Sequence, residues 1–173
     1  MTDDERLPDP AAAARALPKG STVILRARQK AHRARLAQTL SRIVHERDLV
    51  LLIADDPELA IHIRAHGIHL PEAHAAQAAH WRARRPHWLI TCAAHSLQAC
   101  ARVRYADAIL LGPVFATQSH PDAAVLGAIR TRSIASAIRT PVYALGGVGA
   151  HTAMLLNGAH LAGIAAIGAL AQT

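Results

Sequence analysis

The chain has 173 residues, 51% of them hydrophobic, 18% charged and 3% aromatic, with a formal charge of +7. Those values support a well-buried core and exclude a disordered chain. No apolar run reaches the roughly 18 residues of a membrane-spanning helix, and the acidic, proline-bearing start from Met1 to Pro10 is unlike a signal peptide, so a cytoplasmic location is expected.

The first segment, Asp9–Leu17, reads as a helix leading into a strand at Thr22–Ala27. Arg26 and Arg28 stand two apart there, and period-2 alternation places them on one face with Ile24. Buried arginines need a partner, so either an anionic ligand or a carboxylate is expected beside them. A helix follows with Leu36, Leu40, Ile43 and Val44 on one face.

The second strand is Leu49–Ile53, after which Asp56 and Pro57 read as N-cap and first helical position of a helix running to about Ala65. Next come a strand at Gly67–Leu70, a strand at Trp88–Cys92, a Ser96-capped helix, and strands at Ala108–Gly112, Pro141–Gly146 and His160–Ala166. Asn157-Gly158 reads as a left-handed helix end.

Short Val/Ile/Leu-rich runs alternating with amphipathic stretches predict βα units around a parallel sheet. The fold expected is α/β, a TIM-type (βα)8 barrel in a single domain over residues 1–173. It would lack most of its first strand, of which only Met1-Thr2-Asp3 remains, and its final helix. Unpaired strand edges would follow, and a homo-oligomer that covers them is one consequence.

In such barrels phosphate is held by the loops after strands seven and eight. Gly146-Gly147 and Gly168 stand at those two places, where the lack of a Cβ lets backbone N–H groups approach an anion; ordinary tight turns are the alternative. Asp55, Glu72 and His74 offer oxygen and imidazole groups to Mg²⁺ or Zn²⁺, although Mg²⁺ prefers oxygens alone. His62 and His66 share a helix face but lack the accompanying ligands of a zinc site, so surface histidines are expected.

The segment Gly112–His120 is the most distinctive. Thr117 and Ser119 present alternating hydroxyls and His120 a group that exchanges protons near neutral pH; a surface loop capping a helix is the bland alternative. Cys92 and Cys100 are expected to be reduced, buried thiols. The positive charge raises a nucleic-acid-binding domain as a further class, but the arginines are dispersed over helices and few aromatics remain for stacking, so no nucleic-acid partner is expected.

With these residues in view, the chain resembles the thiamine monophosphate synthase/TenI family over nearly its whole length. The landmarks are GIHLPE (Gly67–Glu72), AAHS (Ala93–Ser96), LLGPVFATQSH (Leu110–His120), YALGGV (Tyr143–Val148) and GIAAIGAL (Gly163–Leu170). The resemblance implies a transferase of thiamine biosynthesis that joins a pyrimidine pyrophosphate to a thiazole phosphate with Mg²⁺. Its small phosphorylated precursors are the expected partners. A TenI-like thiazole-phosphate isomerase, or a catalytically silent binder of a phosphate ligand, is the alternative.

By the same resemblance Arg26, Arg28, Thr117, Ser119 and His120 belong to the reaction centre, Gly146, Gly147 and Gly168 to the phosphate, and Asp55 with His74 to Mg²⁺. The family's Gln-x-Arg-x-Lys falls on Ile24, Arg26 and Arg28; its Asn-Asp pair on Ala54 and Asp55; its second metal aspartate on His74; its serine on Ala93; and its Thr-x-Thr-Lys on Thr117, Ser119 and His120. Pro113 occupies the position of the isomerase histidine, for which His120 or His69 is the candidate substitute. The pyrophosphate half of the site is thus thinned and the monophosphate half kept.

Overall fold

A computed structural model describes residues 1–117 and 124–167. The chain gathers into two compact units, one built on Met1–His69 and the other on Leu70–Ala166.

In the first unit Asp9 caps α1 (Pro10–Ala16), its carboxylate accepting the Ala12 N–H at 2.8 Å with proline at the first helical position. Strand β1 (Thr22–Leu25), helix α2 (Lys30–Glu46), strand β2 (Val50–Ala54), helix α3 (Pro57–His62) and strand β3 (Gly67–Leu70) follow. Both neighbouring pairs are parallel, with Val23 opposite Leu51 and Ile53 opposite Ile68. Helix α2 buries Ala37, Leu40, Ile43 and Val44. Leu25, Leu40, Leu51, Leu52, Ile53 and Ile68 are almost wholly inaccessible to solvent. That is why β2 reads as a continuous apolar run instead of an alternating one.

The second unit carries a 3₁₀ turn (Glu72–Gln77), α4 (Ala78–Arg84), β4 (Leu89–Ala94), α5 (Leu97–Arg102), β5 (Ala108–Leu111), α6 (Gly127–Ala137), β6 (Val142–Leu145), α7 (Ala150–Met154) and β7 (Gly163–Ala165). β4 pairs with β5, β5 with β6 and β6 with β7, all in parallel. Consecutive parallel strands with crossover segments give an α/β fold of βα units. Ser96 caps α5 as expected, its hydroxyl accepting the Ala99 N–H at 3.1 Å.

Three local expectations change. β1 ends at Leu25, so Arg26 and Arg28 follow the strand instead of sharing its inner face with Ile24, which is buried at 5% exposure. Their side chains are 46% and 83% exposed, because carboxylates from the chain's start meet them there. Helix α7 ends at Met154, before Asn157-Gly158, where Gly158 has φ +74° in a turn outside the helix. Helix α3 ends at His62 instead of Ala65, since Arg64 adopts φ +54° and Ala65 N–H turns back to the Ala60 carbonyl.

The first residues are tied to the end of β1. Thr2 donates its amide to the Ile24 carbonyl at 2.8 Å, and its hydroxyl accepts the Arg26 N–H at 2.9 Å and donates to the Arg26 carbonyl at 3.0 Å. Asp3, 11% exposed, bonds Arg6 at 2.9 Å and forms an ion pair with Arg26. Asp4 accepts the Arg28 N–H at 2.8 Å. The Arg6 guanidinium first, then Arg26 and the amides of Arg6 and Glu5, hold the Asp3 carboxyl well below the usual range against the upward push of burial.

A carboxyl held low in the folded state stabilises it fully above the unfolded value, about 3.9, and that contribution is lost as pH falls through the folded value. Asp3→Asn is therefore expected to cost about 1–2 kcal/mol at pH 7 and progressively less below about pH 4. Urea unfolding at both pH values checks this; equal stability of the two proteins at pH 7 refutes it.

Candidate phosphate-binding site

The loops that leave β5 and β6 meet within the second unit. Val114 N–H donates to the Leu145 carbonyl and Phe115 N–H to the Gly146 carbonyl, both at 3.0 Å. Gly146 and Gly147 take φ +94° and +64°, a left-handed path that disfavours residues with a Cβ. A Cβ on Gly146 would stand 2.8 Å from Pro113 Cα, and one on Gly147 would stand 2.6 Å from the Ala116 carbonyl oxygen. The space that the missing side chains leave is thus filled by the 113–116 backbone, and loop packing is the first thing these glycines permit.

Beneath the turn Val114, Ala144, Val148 and Leu156 form a buried cluster with Phe115, Ala153 and Leu161 packed against it. Thr152 holds the turn from the side of α7: its hydroxyl donates to the Gly147 carbonyl and accepts the Gly149 N–H, each at 2.8 Å. Neither Thr152 nor His95, whose ring Nδ1 bonds the Gly112 carbonyl, is a candidate from sequence reasoning. The Gly149-x-x-Thr152 spacing of a helix start carried the signal for the first; the second sits in the AAHS landmark, but nothing local gives its partner, because Gly112 lies seventeen residues away.

Thr117 is half-buried at the end of the same loop. Ser119, His120 and Gly168 lie outside the described residues. Glu72 accepts the His95 backbone N–H at 2.9 Å, so its carboxylate is engaged in the second unit's own framework.

In the first unit Arg26 faces Asp3, and Arg28 stands 4.0 Å from Glu5. Asp56 is a helix cap, accepting the Leu59 N–H at 3.1 Å, and it also pairs with Arg33 at 3.0 Å. Asp55 takes φ +53° and donates its amide to the His69 carbonyl at 2.9 Å. His69 is 5% exposed, and burial first, then the Met1 amine and Arg26, push its imidazole down to about 4. The ring is therefore neutral at physiological pH. His66 Nδ1 accepts the Leu51 N–H at 3.1 Å, a structural bond.

Among the described residues no group of three or more His, Cys, Asp or Glu gathers where it would hold a metal ion. His74 brings imidazole where Mg²⁺ prefers oxygen, and Glu72 already accepts a backbone amide. The donor set does not fit a Mg²⁺ site. Cys92 and Cys100 are free and buried, and burial pushes both thiols up to about 11. No helix among the described residues is long and apolar enough to cross a membrane.

The family model described as thiamine monophosphate synthase matches residues 2–170. A putative thiamine-phosphate synthase 2 of Aquifex aeolicus is 33% identical over 116 residues, 66% of this chain and 62% of that one. A thiamine-phosphate synthase of Helicobacter pylori (strain Shi470) is 28% identical over 141 residues, 79% of this chain and 64% of that one. The matches thus span less than two thirds of either relative's length. The solved thiamine phosphate pyrophosphorylase from Pyrococcus furiosus superposes with a TM-score of 0.78 at 24% identity, covering 98% of this chain and 85% of that one, which shows a shared fold.

Gly147→Ala is expected to cost about 2 kcal/mol or more, since it adds strain at positive φ to a clash with backbone. Gly149→Ala, at φ −143° with nothing within 4 Å of a Cβ, is expected to stay within about 1 kcal/mol of the parent. Thermal unfolding of both variants checks this; similar losses, or none at Gly147, refute it.

Proposed function

Since the chain belongs to the thiamine monophosphate synthase family, we propose that it is a thiamine-phosphate synthase-type transferase with a TIM-type barrel fold, acting on a pyrimidine pyrophosphate and a thiazole phosphate. The observation that carries this reading is the Gly146-Gly147 turn locked against the Gly112–Thr117 loop, a backbone-lined end of the kind that receives a monophosphate. The isomerase and silent-binder alternatives draw less support, because the relatives named above are synthases.

In the reaction the bond between the pyrimidine methylene carbon and the pyrophosphate oxygen breaks, and pyrophosphate leaves with the electron pair. The thiazole nitrogen supplies its lone pair to that carbon. Negative charge builds on the leaving group, so fixed cations serve the reaction best. Arg26 and Arg28 are the residues we assign to it; Asp3 and the Thr2 bonds hold Arg26 in place beforehand. In the same reading we assign Gly146, Gly147 and Gly168 to the thiazole phosphate, and Thr117, Ser119 and His120 to the reaction centre.

Incubating the full chain with both phosphorylated precursors and Mg²⁺ in the buffer is expected to yield thiamine phosphate and one equivalent of pyrophosphate. Arg26→Ala is expected to lower kcat/KM at least tenfold, about 1.4 kcal/mol in the transition state. Absence of any product from the parent protein overturns the proposal.

A further inference from the structure

His95 is the first residue after β4, and Gly112 the first after β5. The bond from the His95 ring to the Gly112 carbonyl joins those two strand ends. A carbonyl oxygen only accepts, so Nδ1 carries the proton and donates it. The backbone of His95 is itself anchored, through its N–H to Glu72 at 2.9 Å.

On its other side the Gly112 peptide is wedged against β6. A Cβ at Gly112 would stand 2.1 Å from the Leu145 carbonyl oxygen, so the chain there has no room to shift toward the glycine turn. From Gly112 onward the backbone continues into the Val114 and Phe115 amides that bond Leu145 and Gly146. Leu126 and Gly127 return to the Pro113 and Val114 carbonyls at 3.0 and 2.8 Å. A continuous line of contacts therefore runs from Glu72 through His95 and Gly112 to the Gly146-Gly147 turn.

We propose that His95 is a positioning residue of the phosphate site: its Nδ1–H holds the Gly112 carbonyl so that the 112–117 loop stays seated on the Gly146-Gly147 turn. The proposal rests on the monophosphate reading of that turn. It assigns His95 no proton transfer. Asparagine presents an amide N–H in the place of Nδ1 and is the conservative replacement.

Titration calorimetry with the thiazole phosphate on the full chain, between pH 5.5 and 8, tests this on the parent, His95→Asn and His95→Ala. His95→Ala is expected to weaken Kd about tenfold or more, and His95→Asn to return it to within about threefold of the parent, with the pH profile of His95→Asn unchanged. Hydrogen exchange at the Val114 and Phe115 amides is expected to quicken in His95→Ala and not in His95→Asn. Should His95→Ala fail to fold, Glu72→Ala, which removes the acceptor of the His95 N–H, is expected to quicken the same two amides. Unchanged affinity in His95→Ala, unchanged exchange in Glu72→Ala, or an asparagine variant as weak as alanine overturns the positioning role. Failure of the parent to bind the thiazole phosphate overturns instead the reading beneath it.

Discussion

Strands that follow one another in sequence and pair in parallel must all end on the same edge of their sheet, and each return needs a crossover of a dozen residues or so. The second unit depends on this constraint. Pairing β4 with β5 and β5 with β6 brings His95, Gly112 and Gly146, far apart in sequence, into one row of strand ends. The apolar content of the strands meets the same demand, because helices cover what the sheet would otherwise expose. The row of loops is thus a by-product of core formation.

Glycine's role in that row is easily misread. Freedom from a Cβ lets a ligand approach, yet at Gly112, Gly146 and Gly147 the vacated space is taken by neighbouring backbone. Close seating of one loop on another gives the turn its rigidity, and a rigid backbone is what an anion site needs if its N–H groups are to point inward before the ligand arrives. Packing and the proposed phosphate binding make the same demand on these positions, so glycine suits both.

The arginines show a similar economy. Arg26 joins Asp3, Arg33 joins Asp56 and the Ala27 carbonyl, and Arg82 joins Asp107 and the carbonyls of Pro86 and Trp88. These are ties within one unit, from a helix or a strand end to a neighbouring loop, which is why the arginines are spread along the chain instead of gathered on one face. A half-exposed pair such as Arg26 and Asp3 adds modest stability, but it fixes where the guanidinium stands.

Periodicity, caps and glycine placement in the sequence alone were enough to locate all seven strands among the described residues, the N-caps Asp56 and Ser96, and the glycine-bearing turn after β6. The Gly67–Leu70 strand matches at both ends, while the other strands slipped at one or both ends by one to three residues, since where a strand stops depends on its neighbour's hydrogen bonds. The tertiary structure alone decided that Arg26 faces Asp3 and follows the strand, and that His95 reaches Gly112. Most of these contacts join residues from different elements, and no local pattern encodes a partner that only the folding of the sheet brings near.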